Sequence, residues 1–385
     1  MSGIYLDHNA TTFLRAEARE TWLEVQDELA GNPSSLHAGG RAARDVLDRA
    51  RESVARALGV GEDEVVFTSG GTESNNLALV GALANAEPDV SLMTTAAEHA
   101  SVLGTARALE QRGHRLHVAS IGPGGELDLE AAEPALADPA LALVSVQAAN
   151  NEVGALQPLA ELSARLRERS SRPLLHVDAV QALGRIPVDL EAWGADLASF
   201  SAHKVGGPVG VGLLVRRKGA PIAPLAHGGE QESGLRPGTE DAAGCMAAAR
   251  AVELAVQERA QYEAHTRALV GALWDALRQR IPDARLIGPA IDAERRLPNT
   301  LNVLLPVDDG RVLVTRLDLE GLHTSAGSAC ASGSLEPSHV LLAMGMDEHS
   351  ARAGLRLSVG RSTTHDEVQA AVEILTTTIG GMRAT

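Results

Sequence analysis

From about residue 65 to about residue 215 the chain alternates short, nearly continuous apolar runs with longer amphipathic stretches, and this alternation limits the fold more than any other feature. A strand exposed on one face alternates polar and apolar side chains, whereas a run apolar at nearly every position must be covered on both faces. Helices supply that cover. We therefore read 65–69, 90–95, 141–146, 174–177, 197–201 and 211–215 as strands, and 72–85, 100–112 and 158–169 as helices between them, which predicts an α/β fold with a mostly parallel sheet. A long helix is expected over 243–281, where Tyr262, Thr266, Leu269, Leu273 and Leu277 recur at helical spacing. Strands at 300–304 and 354–359 follow, and 385 residues exceed what one compact core usually serves, so a second, smaller domain is expected there. Aromatic residues are only 2% of the chain, which leaves Leu, Val, Ala and Ile to build the interior.

The charge balance excludes several functions. With 34 Lys plus Arg against 50 Asp plus Glu, the net charge of −16 disfavours nonspecific binding to nucleic acid or to an anionic membrane. The start of the chain has no basic segment followed by an apolar core, and two cysteines cannot form a disulfide framework, so a reducing cytoplasm is the expected location.

Chemistry-bearing residues fall at the ends of the predicted strands, where open α/β sheets bind ligands. Ser69-Gly-Gly-Thr-Glu-Ser-Asn-Asn76 is a strand-to-helix turn whose glycines let backbone N–H groups approach an anion. It lacks the Lys-Ser/Thr of a nucleoside-triphosphate loop and the glycine spacing of a dinucleotide fingerprint. Leu174-Leu-His-Val-Asp178 ends an apolar strand on a carboxylate, with Gln181 three residues on. Leu197-Ala-Ser-Phe-Ser-Ala-His-Lys204 places a histidine and a lysine at the next strand end, and a lysine held in a cleft loses its proton more readily than one in water. Alone, the turn is an ordinary helix start and Asp178 an ordinary cap. Together they match the three anchors of pyridoxal phosphate: a phosphate cup, a carboxylate for the pyridine nitrogen and an amine for the aldehyde. Cys330 stands in a stretch of small residues from Thr324 to Ser334, a setting that suits a reactive thiol; Cys245, in an alanine-rich helical segment, reads as a buried apolar residue.

These segments resemble the cysteine desulfurases of the class V aminotransferase group. The resemblance runs from near residue 5 to near residue 365 and rests on Tyr5-Leu-Asp-His-Asn-Ala-Thr-Thr12, the Thr-Glu-Ser-Asn-Asn turn, Glu98-His99, Asn150-Asn-Glu-Val-Gly154, His176-Val-Asp-Ala-Val-Gln181, Ser201-Ala-His-Lys204, Arg236-Pro-Gly-Thr239, the Cys330 stretch and Leu355-Arg-Leu-Ser-Val-Gly360. It implies the fold type I of pyridoxal-phosphate transferases: a seven-stranded, mostly parallel sheet in a large domain over 15–255, and a smaller α+β domain from 1–14 and 256–385 that carries the cysteine loop. Lys204 would hold the cofactor and shuttle the proton at the substrate Cα. Asp178 would pair with the pyridine nitrogen, Gln181 with the phenolic oxygen, and His99 would stack on the ring and take the substrate thiol proton. Gly71, Thr72, Ser201 and His203 would hold the phosphate, completed by Thr239 from the second subunit of a homodimer. Asn151 and Arg356 would bind the carboxylate of L-cysteine; Cys330 would take its sulfur as a persulfide for an acceptor protein in iron–sulfur cluster assembly or thiolation, leaving L-alanine. No metal is implied. A selenocysteine lyase or an aminotransferase of the same group is the alternative, and neither would need Cys330 in such a stretch.

Three features depart from the family pattern. Gly206, Gly207 and Val209 stand where many relatives have an aromatic residue and a lysine, and Gly71 is often alanine. The chain ends at Thr385, without the longer extension that some relatives use to dock an iron–sulfur scaffold, which leaves the acceptor open.

Overall fold

The computed structural model describes residues 3–87, 89–327 and 336–383, so Cys330 lies outside the described residues. Its strands are β1 (Ile4–Tyr5), β2 (Val65–Thr68), β3 (Ser91–Thr95), β4 (Arg115–Ala119), β5 (Leu141–Gln147), β6 (Leu174–Asp178), β7 (Leu197–Ser201), β8 (Gly212–Arg216), β9 (Arg285–Ile287), β10 (Thr300–Leu304), β11 (Leu322–His323) and β12 (Gly354–Ser358). Seven of them form one sheet in the order β2-β8-β7-β6-β5-β3-β4, in which only β8 runs against the rest. The expected mostly parallel, seven-stranded α/β architecture is therefore present.

Both faces of this sheet are covered, as the apolar runs require. Val65, Phe67, Val144, Val146, Phe200, Leu213 and Val215 point into one core cluster, while Val66, Leu143, Leu197 and Leu214 point into another on the opposite face. Helices Ala38–Leu58 and Ala242–Gln257 pack on the first face; Gly71–Leu83 and Ala100–Gln111 pack on the second. Helices Ala16–Glu28 and Ala38–Leu58 and the strand β4 add to the expected elements. As an edge strand with mostly half-exposed residues, β4 carries no apolar run to betray it.

The expected helix over 243–281 is two helices, Ala242–Gln257 and Arg259–Arg280, divided at Glu258. Periodicity continues through the break, so it gives no warning. The apolar partners change instead: Ala247, Ala251 and Ala255 belong to the core under the large sheet, whereas Leu269, Leu273 and Leu277 belong to a separate core around the sheet β12-β10-β9. That second core also takes Leu6, and β1 pairs in parallel with β11, so the first residues of the chain join its last third. Among the described residues no helix is long and apolar enough to cross a membrane.

Candidate active site

A cavity of about 200 Å³ opens at the carboxyl ends of β6 and β7, and Gly71, Thr72, His99, Asn151, Asp178, Gln181, Ser201, His203, Lys204 and Arg356 all line it. Segments far apart in sequence meet there because parallel strands deliver their ends to one edge of the sheet.

The anion-binding side is the start of helix Gly71–Leu83. Its first helical bond runs from Ser74 N to Gly70 O (3.0 Å), so the amides of residues 71–73 have no partner one turn back. Glu73 accepts from Ser69 N (2.6 Å) and pairs with Arg236 (3.1 Å), fixing the turn. Gly71 leaves little room: a Cβ there would lie 2.9 Å from a Val180 methyl. Gly212 passes so near that its Cβ would come within 2.5 Å of the Gly70 backbone. Ser201 ends β7, and His203 follows with its Nδ1 3.0 Å from Thr11 Oγ1. Burial, with the charges of Lys204 and Arg185, holds the His203 pKa down at about 4. It is a neutral ring at physiological pH.

At the end of β6, Asp178 Oδ2 accepts from Asn75 Nδ2 (2.7 Å) and Oδ1 from Val180 N (3.1 Å). Asn75 also donates to Ser101 Oγ (2.9 Å), which lies 2.7 Å from His99 Nδ1, so Asp178 and His99 are linked through two intervening side chains. Ser101 N–H donates to His99 Nδ1 (3.2 Å), which leaves the proton of the neutral ring on Nε2. Uptake of a thiol proton by His99, as expected from the sequence, must therefore begin by breaking the Ser101 contact. Lys204 Nζ donates to the carbonyls of Asn9 (2.7 Å) and Ala10 (2.6 Å), and Gln181 Nε2 donates to Asn9 O (3.1 Å).

Arg356, in the middle of β12, is 1% exposed and is held by Asp7 Oδ1 (2.6 Å) and Asn151 O (3.2 Å), while its Nε is buried without a hydrogen-bond partner among the described residues. Asp7 is a partner that the sequence motif contained but did not single out. Around the Cys330 stretch, Ser325 exchanges backbone hydrogen bonds with Arg356 (2.7 and 3.2 Å), Ser338 Oγ donates to Glu152 (2.6 Å), and His339 Nε2 donates to Glu98 O (2.9 Å). The residues flanking 328–335 are thus tied to the segments that carry Arg356, Asn151 and His99.

Thr239 does not line this cavity; it is exposed, with Asn32 Nδ2 3.5 Å from its Oγ1. His176 is buried between Ser145 Oγ (2.8 Å) and Ser199 Oγ (2.9 Å) and belongs to the core. Cys245 is buried as expected, and burial pushes its thiol pKa well up. Glu98, missed as a titrating group, is wholly buried: desolvation raises its pKa to about 8 despite bonds from Gln147 N (3.0 Å) and Thr95 Oγ1 (2.8 Å).

The donor set fits pyridoxal phosphate. A helix start whose first amides make no helical bond and a glycine where a Cβ would collide suit a phosphate, a strand-end carboxylate braced by Asn75 suits a protonated ring nitrogen, and Lys204 is within the same cavity. Among the described residues no cluster of His, Cys, Asp and Glu could hold a metal ion.

Known proteins give the same picture. The class V aminotransferase model matches residues 4–371. A cysteine desulfurase of Cereibacter sphaeroides is 42% identical over 386 aligned residues, covering 100% of this chain and 97% of the relative. The cysteine desulfurase IscS of Clostridium botulinum is 39% identical over 373 residues, covering 97% and 93%. A solved NifS-like protein superposes with a TM-score of 0.91 at 38% identity, covering 98% of this chain and 100% of its own.

Proposed function

The chain belongs to the class V aminotransferases and, within them, to the cysteine desulfurases, and on that premise we propose which of its residues carry each step from L-cysteine to L-alanine. The cofactor is pyridoxal 5′-phosphate, which when bound draws electrons from the substrate Cα. The observation that carries the assignment is the convergence of the 71–73 amides, Asp178, Lys204 and Arg356 on one cavity.

Gly71, Thr72, Ser201 and His203 would hold the phosphate, with neutral His203 serving as a hydrogen-bond partner rather than a charge. Asp178, kept in place by Asn75, would hold a proton on the ring nitrogen. Gln181 would meet the phenolic oxygen, and His99 would cover the ring from the cavity wall. Lys204 would hold the aldehyde carbon, and its Nζ, kept in the cavity by the carbonyls of Asn9 and Ala10, would move the proton at the substrate Cα. Arg356 receives the substrate carboxylate with Asn151 beside it, its planar fork held in orientation by Asp7.

The Cys330 thiolate then attacks the substrate sulfur. The new S–S bond forms as the C–S bond breaks, the electron pair and a proton go to the former Cβ, and L-cysteine plus the Cys330 thiol become L-alanine plus the Cys330 persulfide. The hydrogen bonds at Ser325, Ser338 and His339 support this reading, because they tie both sides of the Cys330 stretch to cavity elements. We further propose a homodimer in which Thr239 completes the partner's phosphate site, a division into 15–255 and 1–14 plus 256–385, and transfer of the persulfide sulfur to an acceptor protein in the cytoplasm.

The test is to incubate wild type and Cys330→Ser with L-cysteine and measure alanine and protein-bound persulfide. Wild type is expected to form both and Cys330→Ser neither. Alanine release by Cys330→Ser at the wild-type rate would remove Cys330 from the mechanism. Lys204→Ala should lose the colour change that amino acids induce in the wild-type protein.

A further inference from the structure

Behind the active site lies a buried cation that the reaction as described does not use. Arg185 is 3% exposed, and among the described residues no carboxylate lies within salt-bridge distance of it. Its guanidinium donates to the Gln181 side-chain oxygen and to His8 O (3.3 Å). A guanidinium has five donors and no acceptor, so Gln181 must turn its oxygen toward Arg185 and its NH₂ group away. That NH₂ group gives one hydrogen to Asn9 O (3.1 Å) and has a second for the cavity that Gln181 lines. Arg185 follows Gln181 by four residues in the turn after β6, so the contact with Gln181 is local, whereas the one to His8 joins segments 177 positions apart.

The groups facing Arg185 do not neutralise it. Tyr262 lies beside it, and its phenol is pushed up by burial and remains neutral. His8 and His203 are held neutral by burial, each with a pKa of about 4. Arg356 adds a like charge, and Lys204, Arg15 and Arg361 line the neighbouring small cavity. The acids that meet these neighbours are committed to other cations, Asp7 to Arg356 at 2.6 Å and Glu258 to Arg15 at 2.7 Å.

We propose that Arg185 is a positioning residue for the cofactor: it locks the Gln181 amide with NH₂ toward the cleft and adds a fixed positive charge behind it, so that the phenolic oxygen is held as its anion. The inference rests on the reading of Gln181 given above. An anionic phenolic oxygen beside a fixed cation holds the neighbouring imine proton less firmly, and loss of the cation raises the pH at which the bound chromophore changes colour.

The experiment is a spectroscopic pH titration of the cofactor-loaded protein. Arg185→Met and Arg185→Gln, two neutral replacements of similar length, are expected to raise the colour-change pH by about one unit. Arg185→Lys, which keeps the charge, should stay closer to wild type than either. Gln181→Met should also raise it, and Arg185→Met added to Gln181→Met should shift it by less than Arg185→Met does alone. If Gln181→Met shifts the titration but both neutral Arg185 variants titrate like wild type, Arg185 is only structural and the inference fails. If Gln181→Met leaves the titration unmoved, the reading of Gln181 fails and takes the inference with it.

Discussion

Glu98→Gln should make the protein's stability less dependent on pH. Glu98 Oε1 accepts from Gln147 N (3.0 Å) and Thr95 Oγ1 (2.8 Å), whereas Oε2 is buried with no partner among the described residues. Burial raises its pKa from 4.5 to about 8, with a further push from the charge of Asp178. The folded protein therefore keeps a proton on Glu98 that the unfolded chain has already released above its ordinary pKa. Stability is lost as pH rises through that window, because the native state binds more protons than the unfolded one. The slope is about 1.4 kcal/mol per pH unit, which amounts to about 2 kcal/mol between about pH 5.5 and about pH 7. Glutamine keeps the two acceptor contacts and places NH₂ where the protonated acid has OH, so it matches the neutral state at low pH and has no proton to lose. Urea unfolding of both proteins across this range is the assay, since the difference between the two profiles cancels every titrating group they share. Glu98→Gln should match wild type only below the ordinary carboxylate pKa, and its advantage should grow by about 2 kcal/mol from about pH 5.5 to about pH 7. Parallel profiles would show that Glu98 ionises normally and would refute the reasoning.

Phe200 is fully buried in the core beneath the large sheet, so Phe200→Ala should cost about 3–5 kcal/mol of unfolding free energy, read as a fall in the urea midpoint. Gly212→Ala places a methyl within 2.5 Å of the Gly70 backbone at the mouth of the anion cup; it should weaken pyridoxal-phosphate retention at least about tenfold, measured by equilibrium dialysis. Arg356→Lys exchanges a planar fork for a point charge and should raise KM for L-cysteine by about 10- to 100-fold, with a smaller change in kcat; an unchanged KM would place the substrate carboxylate elsewhere.

The residues most legible in the sequence were those at the ends of strands. Asp178, Ser201, His203 and Lys204 follow apolar runs directly, so predicting β6 and β7 was enough to place them at one sheet edge. Their supports were not legible. Asn75 lies within a helix-start motif and shows its role only when helix Gly71–Leu83 crosses the end of β6. Asp7 and Arg356 are 349 positions apart, and the Asn9 carbonyl that meets both Lys204 and Gln181 is a backbone group that no residue type announces. Glu98 reads in sequence as the polar neighbour of His99. Its raised pKa comes chiefly from the burial that folding imposes, with a further push from the charge of Asp178.

The alternation of buried strands with amphipathic helices was sufficient, by itself, to dictate a doubly covered sheet, because hydrophobic burial on both faces leaves no other arrangement for such runs. The types of residue at the strand ends likewise narrowed the chemistry to a phosphate, a ring nitrogen and an aldehyde. Tertiary structure alone decided which charges are paired, which amide faces which way, and where the helical run at 242–280 breaks between two cores. Those outcomes depend on distances between segments and on exclusion of water, and neither is a property of local sequence.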